Sequence, residues 1–228
     1  MIDIEHNIKE FINGKGKNQG RNPDERYASF DYCYNYFQSF RENGKIDEIA
    51  NEKNLQQSCL QLGFYLASWG MLRGSSFLLG KSARTYGDLL KNIVSFDKKV
   101  WDIDADSYSD EGIKILLYCK EMIYKSLGQN NKPSDTLITK IMLGIFGNVP
   151  AFDNYFNKGF SFYYCKRNQL KKLSQFYQDN KNVIDKYNKT IYTYDFLTGK
   201  ETKRNYPKAK IIDMIGFVEG KNKVKKIR

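Results

Sequence analysis

The residues best placed for chemistry lie in one stretch, 134–156, where an acid follows a long apolar run. Asp153 stands between Phe152 and Asn154, directly after a Val-Pro-Ala segment. A carboxylate on such an apolar turn is poorly solvated, so it needs either a task or a partner. Two interpretations stay open. Asp153 takes part in a reaction, or it caps a helix that begins near Pro150 or pairs with an arginine.

A second segment could touch a ligand, because two glycines flank an arginine in Trp-Gly-Met-Leu-Arg-Gly-Ser-Ser, residues 69–76. Glycine lets the backbone approach a bound group, and Arg73 with Ser75 and Ser76 could hold a phosphate. Trp69 could serve as a platform on which a base stacks. The alternative is that Trp69 belongs to the core and that Arg73 forms a buried ion pair.

An aromatic face with one acid is predicted on the helix that follows Asn22. Tyr27, Asp31 and Tyr34 fall on this face, and they could line a pocket for an extruded base. Residues of this kind are more often part of the core, with their hydroxyl groups bonded outward.

The positive charge of the chain is concentrated in its last third. Residues 158–228 contain 18 Lys+Arg and 6 Asp+Glu, whereas residues 1–157 contain 19 and 20. Such segregation creates a positive potential, and a phosphate backbone is its commonest match. Tyrosines are interleaved with these cations, which suits backbone contact with some base stacking. The predicted backbone contacts are Lys166, Arg167, Lys171, Lys172, Lys203, Arg204, Lys208 and Lys210.

Several reaction classes are excluded by what the sequence lacks. His6 is the only histidine, so a multi-histidine metal site is impossible, and no phosphate-binding glycine loop is present. The four cysteines are scattered among apolar residues, which predicts buried free thiols. The acidic loop around Asp104 begins like a calcium loop but lacks its glycine and its last glutamate, so we expect neither a metal nor a cofactor.

The elements that must position these residues are mostly helices. Helical spacing predicts a buried helix that starts at Ser134 or Asp135 and ends at Gly147. The chain is predicted to form one mainly α-helical domain with a short β-hairpin near its C-terminal end. Its expected parts are a flexible N-terminal segment (1–21), a helical core (22–189), the hairpin (190–206), and a helix with a basic tail (207–228). The sequence has no apolar run of membrane-spanning length and no apolar leader, which favours a cytoplasmic protein.

The run from Lys140 through Val-Pro-Ala-Phe to Asp153 resembles the helix-hairpin-helix DNA glycosylase superfamily over about residues 130–160. The family has Leu-Pro-Gly-Val-Gly where this chain has Phe-Gly-Asn-Val. In that family, the acid stabilises the cationic sugar formed as the base leaves, which implies the same role for Asp153. Members that also cleave the strand use a lysine as a Schiff-base nucleophile, and Lys140 is the candidate. Because water can replace the amine, hydrolysis by water is favoured.

These observations lead to an expected function and to its alternatives. The main expectation is a DNA-binding protein that hydrolyses the N-glycosidic bond of an altered base, in repair or in defence against phage. The first alternative is a non-catalytic nucleic-acid-binding or regulatory module that uses the same basic surface. A third possibility is a module that docks an acidic protein. The sequence leaves the oligomeric state and the choice between DNA and RNA open.

Overall fold

The computed structural model describes residues 2–16, 20–74 and 76–227, and within them the chain is mainly α-helical with one antiparallel hairpin. This confirms the predicted fold class. The helices are α1 (Ile4–Asn13), α2 (Ser29–Glu42), α3 (Leu55–Ser68), α4 (Gly87–Ile93), α5 (Asp110–Ser126), α6 (Asp135–Phe146), α7 (Asn154–Phe160), α8 (Arg167–Asp179), α9 (Lys181–Thr190) and α10 (Lys208–Ile227). The strands are β1 (Tyr192–Tyr194) and β2 (Glu201–Asn205), with Tyr192 opposite Asn205 and Tyr194 opposite Glu201.

Helix α6 lies in the core, and every residue from Leu137 to Phe146 is buried. The side chain of Ser134 caps its start by accepting a hydrogen bond from the N–H of Leu137. Gly147 ends it in the left-handed conformation, with φ at 71°. Both ends are where the sequence predicts them. Because this helix is apolar on almost every side, it must be surrounded, and α2, α3 and α5 pack around it.

Helices α7 and α10 pack nearly backbone to backbone through glycines. A Cβ atom at Gly159 would collide with the carbonyl group of Gly216, and one at Gly220 would collide with the carbonyl group of Tyr155. Only residues without a side chain allow this approach. Helix α10 therefore fixes the position of α7, and with it the turn that precedes α7.

A buried ion pair ties the hairpin to α2. Arg21 donates from Nε and Nη2 to Oδ2 of Asp31, at 3.2 and 2.9 Å. The hydroxyl of Tyr206 donates to the other carboxylate oxygen, and the N–H of Tyr194 donates to Oδ2 at 2.9 Å. Burial raises the pKa of Asp31, whereas the charge of Arg21 and these hydrogen bonds favour its ionised form. Three distant parts of the sequence are thus joined around one carboxylate.

The structure differs from the sequence-based expectations at both described ends. The segment 1–21 was expected to be flexible, but it contains α1, which packs against α10 through Ile8 and Phe11. Helix α10 continues to Ile227, so residues expected to form a basic tail form its last turns. The side-chain amide of Asn222 donates there to the carboxylate of Glu10, and this contact holds the added turns of α10 against α1.

Two further boundaries also differ. Helix α2 begins at Ser29 and not after Asn22, because Arg26–Ala28 form a 3₁₀ turn first. The basic stretch after residue 166 forms two helices, α8 and α9, where one was expected. The four cysteines are buried and free, as predicted. In the described part of the chain, no helix is both long and apolar enough to cross a membrane.

Candidate active site

The turn that carries Asp153 is held to α6 through the backbone of its neighbour. The N–H of Phe152 donates to the hydroxyl of Thr139 at 2.9 Å. The carbonyl of Phe152 accepts from the hydroxyl of Thr136, also at 2.9 Å. Because both hydroxyls belong to one rigid helix, the residue that follows Phe152 has a fixed position relative to α6.

Asp153 is both the N-cap of α7 and the partner of Lys140. Its Oδ1 accepts from the N–H groups of Tyr155 and Phe156, at 3.0 and 2.9 Å. Its Oδ2 lies 3.2 Å from Nζ of Lys140. The helix therefore begins directly after Asp153 and not at Pro150, and the cationic partner is a lysine instead of an arginine. The side chain of Lys140 is 3% exposed and that of Asp153 is 15% exposed.

The Lys140–Asp153 pair lines a cavity of about 460 Å³. Asp153 is the one carboxylate among the described residues that line it. Three aromatic side chains and three cations also line it: Trp69, Tyr155, Phe217, Arg26, Arg73 and Lys140. The cavity thus combines apolar walls, a fixed carboxylate and an excess of positive charge, a combination suited to a flat ligand attached to an anion.

Trp69 forms one wall of the cavity and is supported by a stack of rings. Its ring centroid lies 5.4 Å from that of Tyr27, with an angle of 9° between the planes. Tyr27 stacks in turn on Phe11, at 4.4 Å and 15°. Phe217 meets all three rings edge-on. Since stacked and edge-on contacts are both favourable, the indole of Trp69 is held in one orientation.

Cations from α10 lie near Arg26 at the edge of the cavity. Burial lowers the pKa of Lys221, and the positive charges of Lys225, Arg26 and Lys15 lower it further. The charges of Lys221 and Arg26 therefore act on each other, while Glu10 partly offsets them. The resulting field attracts anions to this edge.

A second lysine–aspartate pair lies in the core. Nζ of Lys210 is 2.7 Å from Oδ2 of Asp213, and the N–H of Ala151 donates to Oδ1 at 3.0 Å. Lys210 is 1% exposed. Its ammonium group lies near three ring centroids, at 5.0 Å (Phe11), 4.9 Å (Phe30) and 5.2 Å (Trp69). The sequence suggested that Lys210 contacts a nucleic-acid backbone, but a buried ammonium group of this kind is out of reach of a phosphate.

The cavity brings together only two of the five residues predicted for a base pocket. Trp69 and Arg73 line it. Tyr27 is buried behind Trp69, and Asp31 is buried in the network that anchors the hairpin. Tyr34 is buried and stacks on a phenylalanine of α2. Asp31 and Tyr34 lie on the face of α2 that is turned to the core, and Tyr27 lies in the 3₁₀ turn before α2.

The other basic residues predicted to contact a backbone divide into two groups. Four form ion pairs with acids of the helical body, namely Arg167 and Lys171 with Asp110, Arg204 with Glu42, and Lys208 with Asp106. Three are exposed, namely Lys166, Lys172 and Lys203. Arg167, Lys171 and Asp110 are exposed, and solvent-exposed ion pairs contribute about 0–1 kcal/mol, so a phosphate could replace Asp110 at little cost. Arg204 and Lys208 are mostly buried, so this argument does not extend to their pairs.

Of the two serines predicted to hold a phosphate, Ser76 caps a short 3₁₀ turn. Ser75 lies outside the described residues. Ser76 accepts from the N–H of Leu78 at 3.3 Å and so caps the 3₁₀ turn Phe77–Gly80. With Arg73 it lines a neighbouring cavity of about 370 Å³.

The acidic loop before α5 makes structural contacts. Asp102 pairs with Arg41, and Asp106 pairs with Lys208. Asp104 accepts from the first two N–H groups of α10, at 2.7 Å each, and burial raises its pKa to about 6. Among the residues that the structure describes, no group of three histidine, cysteine or acidic side chains is arranged to hold a metal ion.

Among the charged and aromatic residues that line the cavity, three were not singled out from the sequence: Arg26, Tyr155 and Phe217. The sequence does offer a signal for Tyr155, because this residue lies two positions after Asp153, in the first turn of α7. Phe217 carries no local signal, since it reaches the cavity only through the packing of α10 on α7.

A larger cavity, of about 610 Å³, lies between α3 and α4. Its charged lining residues are all exposed: Glu52, Arg84, Asp88 and Lys91. Exposed charges are hydrated and adjust to solvent, whereas catalysis benefits from charges that are fixed before the reaction. The smaller cavity beside Asp153 is therefore the better candidate for chemistry. Comparison of the chain with protein-family models, with curated proteins and with solved structures found no match.

Proposed function

We propose that this protein binds DNA and hydrolyses the N-glycosidic bond of an altered base, with the cavity beside Asp153 as the base-binding site. The observation that carries the proposal is the Lys140–Asp153 pair, because a fixed carboxylate lines a cavity with aromatic walls. This is also the reaction implied by the resemblance to the helix-hairpin-helix DNA glycosylases.

The geometry of Asp153 suits stabilisation of a cation. As the base departs with the bonding electrons, positive charge develops on the sugar ring. Two backbone N–H groups hold Oδ1 of Asp153, and Lys140 holds Oδ2, so the carboxylate does not have to reorient during the reaction. Preorganised charge of this kind commonly supplies the largest single contribution to catalysis. Water then adds to the sugar carbon, and the proton that it loses goes to the base that has departed as an anion.

The walls of the cavity suit a flat, unpaired base. The indole of Trp69 is fixed by the rings behind it, and Tyr155 and Phe217 add further apolar surface. A volume of about 460 Å³ falls within the roughly 300–1,000 Å³ of small-molecule sites. Enzymes that act on a base take it out of the helical stack into such a pocket.

The cations around the cavity suit the sugar–phosphate backbone. Arg26 and Arg73 line the cavity and are exposed, and Lys221 lies near Arg26. Residues 158–228 carry 18 Lys+Arg against 6 Asp+Glu. Binding to a polyanion by such a surface releases counterions, so affinity should weaken steeply between about 50 and 200 mM salt.

The position of Lys140 also favours a second course for the reaction. The neutral amine of Lys140 would form a bond to the sugar carbon as the base leaves, and its proton would go to the departing base. The ring oxygen would then leave that carbon and take up the proton held by Asp153, which gives an iminium, and loss of a proton from C2′ would eliminate the 3′ phosphate. This course needs a transfer of the Lys140 proton before attack, and Asp153, 3.2 Å away, is the adjacent acceptor.

The test is release of base from DNA that carries damaged or phage-type modified bases. The expected result for the wild-type protein is abasic sites that are cleaved by alkali. Borohydride trapping and Lys140→Gln separate the two courses. A trapped complex that is lost in Lys140→Gln would identify the amine as nucleophile, whereas base release without trapping would identify water.

The non-catalytic alternative makes a different prediction in the same assay. A binding or regulatory module would bind the DNA with strong salt dependence and release no base from any substrate of a broad panel. That result would remove the enzymatic proposal. Absence of binding at low salt would remove the nucleic-acid proposal as a whole.

A further inference from the structure

Two adjacent tyrosines lie on the surface between α7 and α8. Tyr163 is 80% exposed and Tyr164 is 58% exposed. Single exposed aromatic residues are ordinary on a protein surface, but a contiguous exposed apolar patch commonly marks a site of interaction. These two exposed rings follow each other in sequence, on the short segment between the buried residues Phe162 and Cys165.

The loop that carries the tyrosines is anchored on both sides. Before them, Phe162 is buried and its ring stacks on that of Phe152, at 6.1 Å and 14°. After them, the N–H of Cys165 donates to Asp135 at 2.8 Å, and its carbonyl accepts from Lys120 at 2.9 Å. Because the backbone is fixed on either side, little ordering of the loop is needed when a ligand binds.

The same loop touches the turn that carries the candidate catalytic acid. The side-chain amide of Asn157 donates to the carbonyl of Phe152 at 3.1 Å and to that of Tyr163 at 3.3 Å. Thr136, which lines the cavity, donates to that same carbonyl of Phe152. The side chain of Asn157 thus links the carbonyl of Tyr163 to that of Phe152, the residue before Asp153.

Cations accompany the two rings. Lys158 and Lys166 are exposed on either side of the loop, and Nζ of Lys166 lies 5.3 Å from the ring centroid of Tyr164. Lys223 of α10 donates to the carbonyl of Gly159, at the end of α7, at 2.8 Å, and pairs with Glu219 of its own helix. An aromatic face beside a cation suits a stacked base whose phosphate lies next to it.

We infer that Tyr163 and Tyr164 form a stacking platform for unpaired nucleotides next to the cavity, so that the protein prefers single-stranded or locally opened nucleic acid to a closed duplex. The inference rests on the proposed nucleic-acid function and specifies the strand state of its ligand. In a closed duplex, both faces of each base are covered by its neighbours. A platform of protein rings can therefore bind only bases whose faces are free.

The experiment compares binding of a labelled 12-nucleotide single strand with binding of the same sequence as a blunt duplex, at one salt concentration. The variant replaces both tyrosines, Tyr163→Ala with Tyr164→Ala. Tyr118→Ala is the matched control, because Tyr118 is 59% exposed on α5. The double variant should lose roughly 5- to 100-fold in affinity for the single strand, with little change for the duplex. The control should bind both as the wild type does.

Further measurements separate stacking from other causes. Tyr163→Phe with Tyr164→Phe keeps the rings and should bind as the wild type does. The slope of affinity against salt should stay the same in every tyrosine variant, because no charge is removed. Circular dichroism of the alanine variant checks that it is folded.

The outcomes distinguish this inference from the proposed function. Equal losses for single strand and duplex, or no loss for either, would overturn the platform while nucleic-acid binding stands. A wild type that binds the duplex more tightly than the single strand would also overturn it. A wild type that binds neither at low salt would overturn the proposed function together with the platform.

Discussion

Two lysine–aspartate pairs lie beside the indole of Trp69, and they differ in their relation to solvent. The pair Lys140–Asp153 spans 3.2 Å and lines a cavity, with 15% of the aspartate side chain exposed. The pair Lys210–Asp213 spans 2.7 Å, with 2% and 9% of the two side chains exposed. We call the first the cavity pair and the second the core pair.

The difference shows how one chemical pair can serve two purposes. Taking two charges out of water costs free energy, which is offset only by close contact and by further hydrogen bonds. In the core pair, both oxygens of Asp213 have donors and three aromatic rings lie near the ammonium group. In the cavity pair, both oxygens of Asp153 also have donors, but 15% of this side chain is exposed and it lines the cavity, so a ligand can reach it. The core pair therefore suits stability, and the cavity pair suits chemistry.

The largest expected effect is on the core pair. Asp213→Ala leaves Lys210 buried without a counter-charge and leaves the N–H of Ala151 without its acceptor. We expect the free energy of unfolding to fall by about 3–5 kcal/mol, measured by urea denaturation. Asp153→Ala also leaves Lys140 without its counter-charge, but Lys140 lines a cavity that water can enter, so we expect a smaller loss, of which the helix cap contributes about 1–2 kcal/mol. An equal loss of unfolding free energy in Asp213→Ala and Asp153→Ala would contradict the distinction between the core pair and the cavity pair.

The next effect concerns activity at the cavity pair. Asp153→Asn keeps the size of the side chain and a good helix cap, but it loses the charge that would stabilise the cationic sugar. We expect base release to fall roughly 10²- to 10³-fold with binding almost unchanged, measured as abasic sites cleaved by alkali. Asp213→Asn is the control, since it should lower stability and leave the rate per folded molecule alone. An unchanged rate of base release in Asp153→Asn would mean that Asp153 serves only as the N-cap of α7.

Much of this comparison could not be predicted from the sequence. The helical class, the bounds of α6 and the hairpin followed from local patterns, because caps and periodicity act over a few residues. The sequence also singled out Lys140, Asp153 and Trp69. It placed Lys210 among the basic surface residues, although the structure buries Lys210 beside Trp69 as it does Lys140. Only the packing of α10 on α7 decides which of the two faces a cavity.

The pH dependence of stability should come from Asp104, at the start of the helix that carries the core pair. Asp104 caps α10, the helix that carries Lys210, and burial raises its pKa from 3.8 to about 6. A carboxyl group with a raised folded-state pKa contributes stability that is full below pH 3.8 and is lost as pH rises through 6. The loss is at most about 3 kcal/mol, and Asp104→Asn should flatten the curve of unfolding free energy between pH 4 and 7. A curve that keeps its shape in the variant would assign the pH dependence to another group.

The smallest effect concerns the edge of the cavity. Arg26→Gln removes one cation from the lining, so the slope of log affinity for DNA against log salt should become shallower by about 1. Lys91→Gln is the control, because Lys91 lies on α4 beside the larger cavity. Identical slopes in the two variants would mean that the cavity edge does not contact the backbone.

The carboxylate of Asp31 has a consequence for the order of folding. Arg21 stands only 10 positions away, but Tyr194 and Tyr206 stand 163 and 175 positions away, so a local segment can satisfy the carboxylate only in part. During synthesis, the carboxylate of Asp31 stays exposed to solvent until the hairpin has been made, because its burial without the hairpin's hydrogen bonds is too costly. Closing so long a loop is entropically unfavourable and slow. We therefore expect docking of the hairpin to be a late step, and a chain truncated before residue 190 to remain partly open at α2.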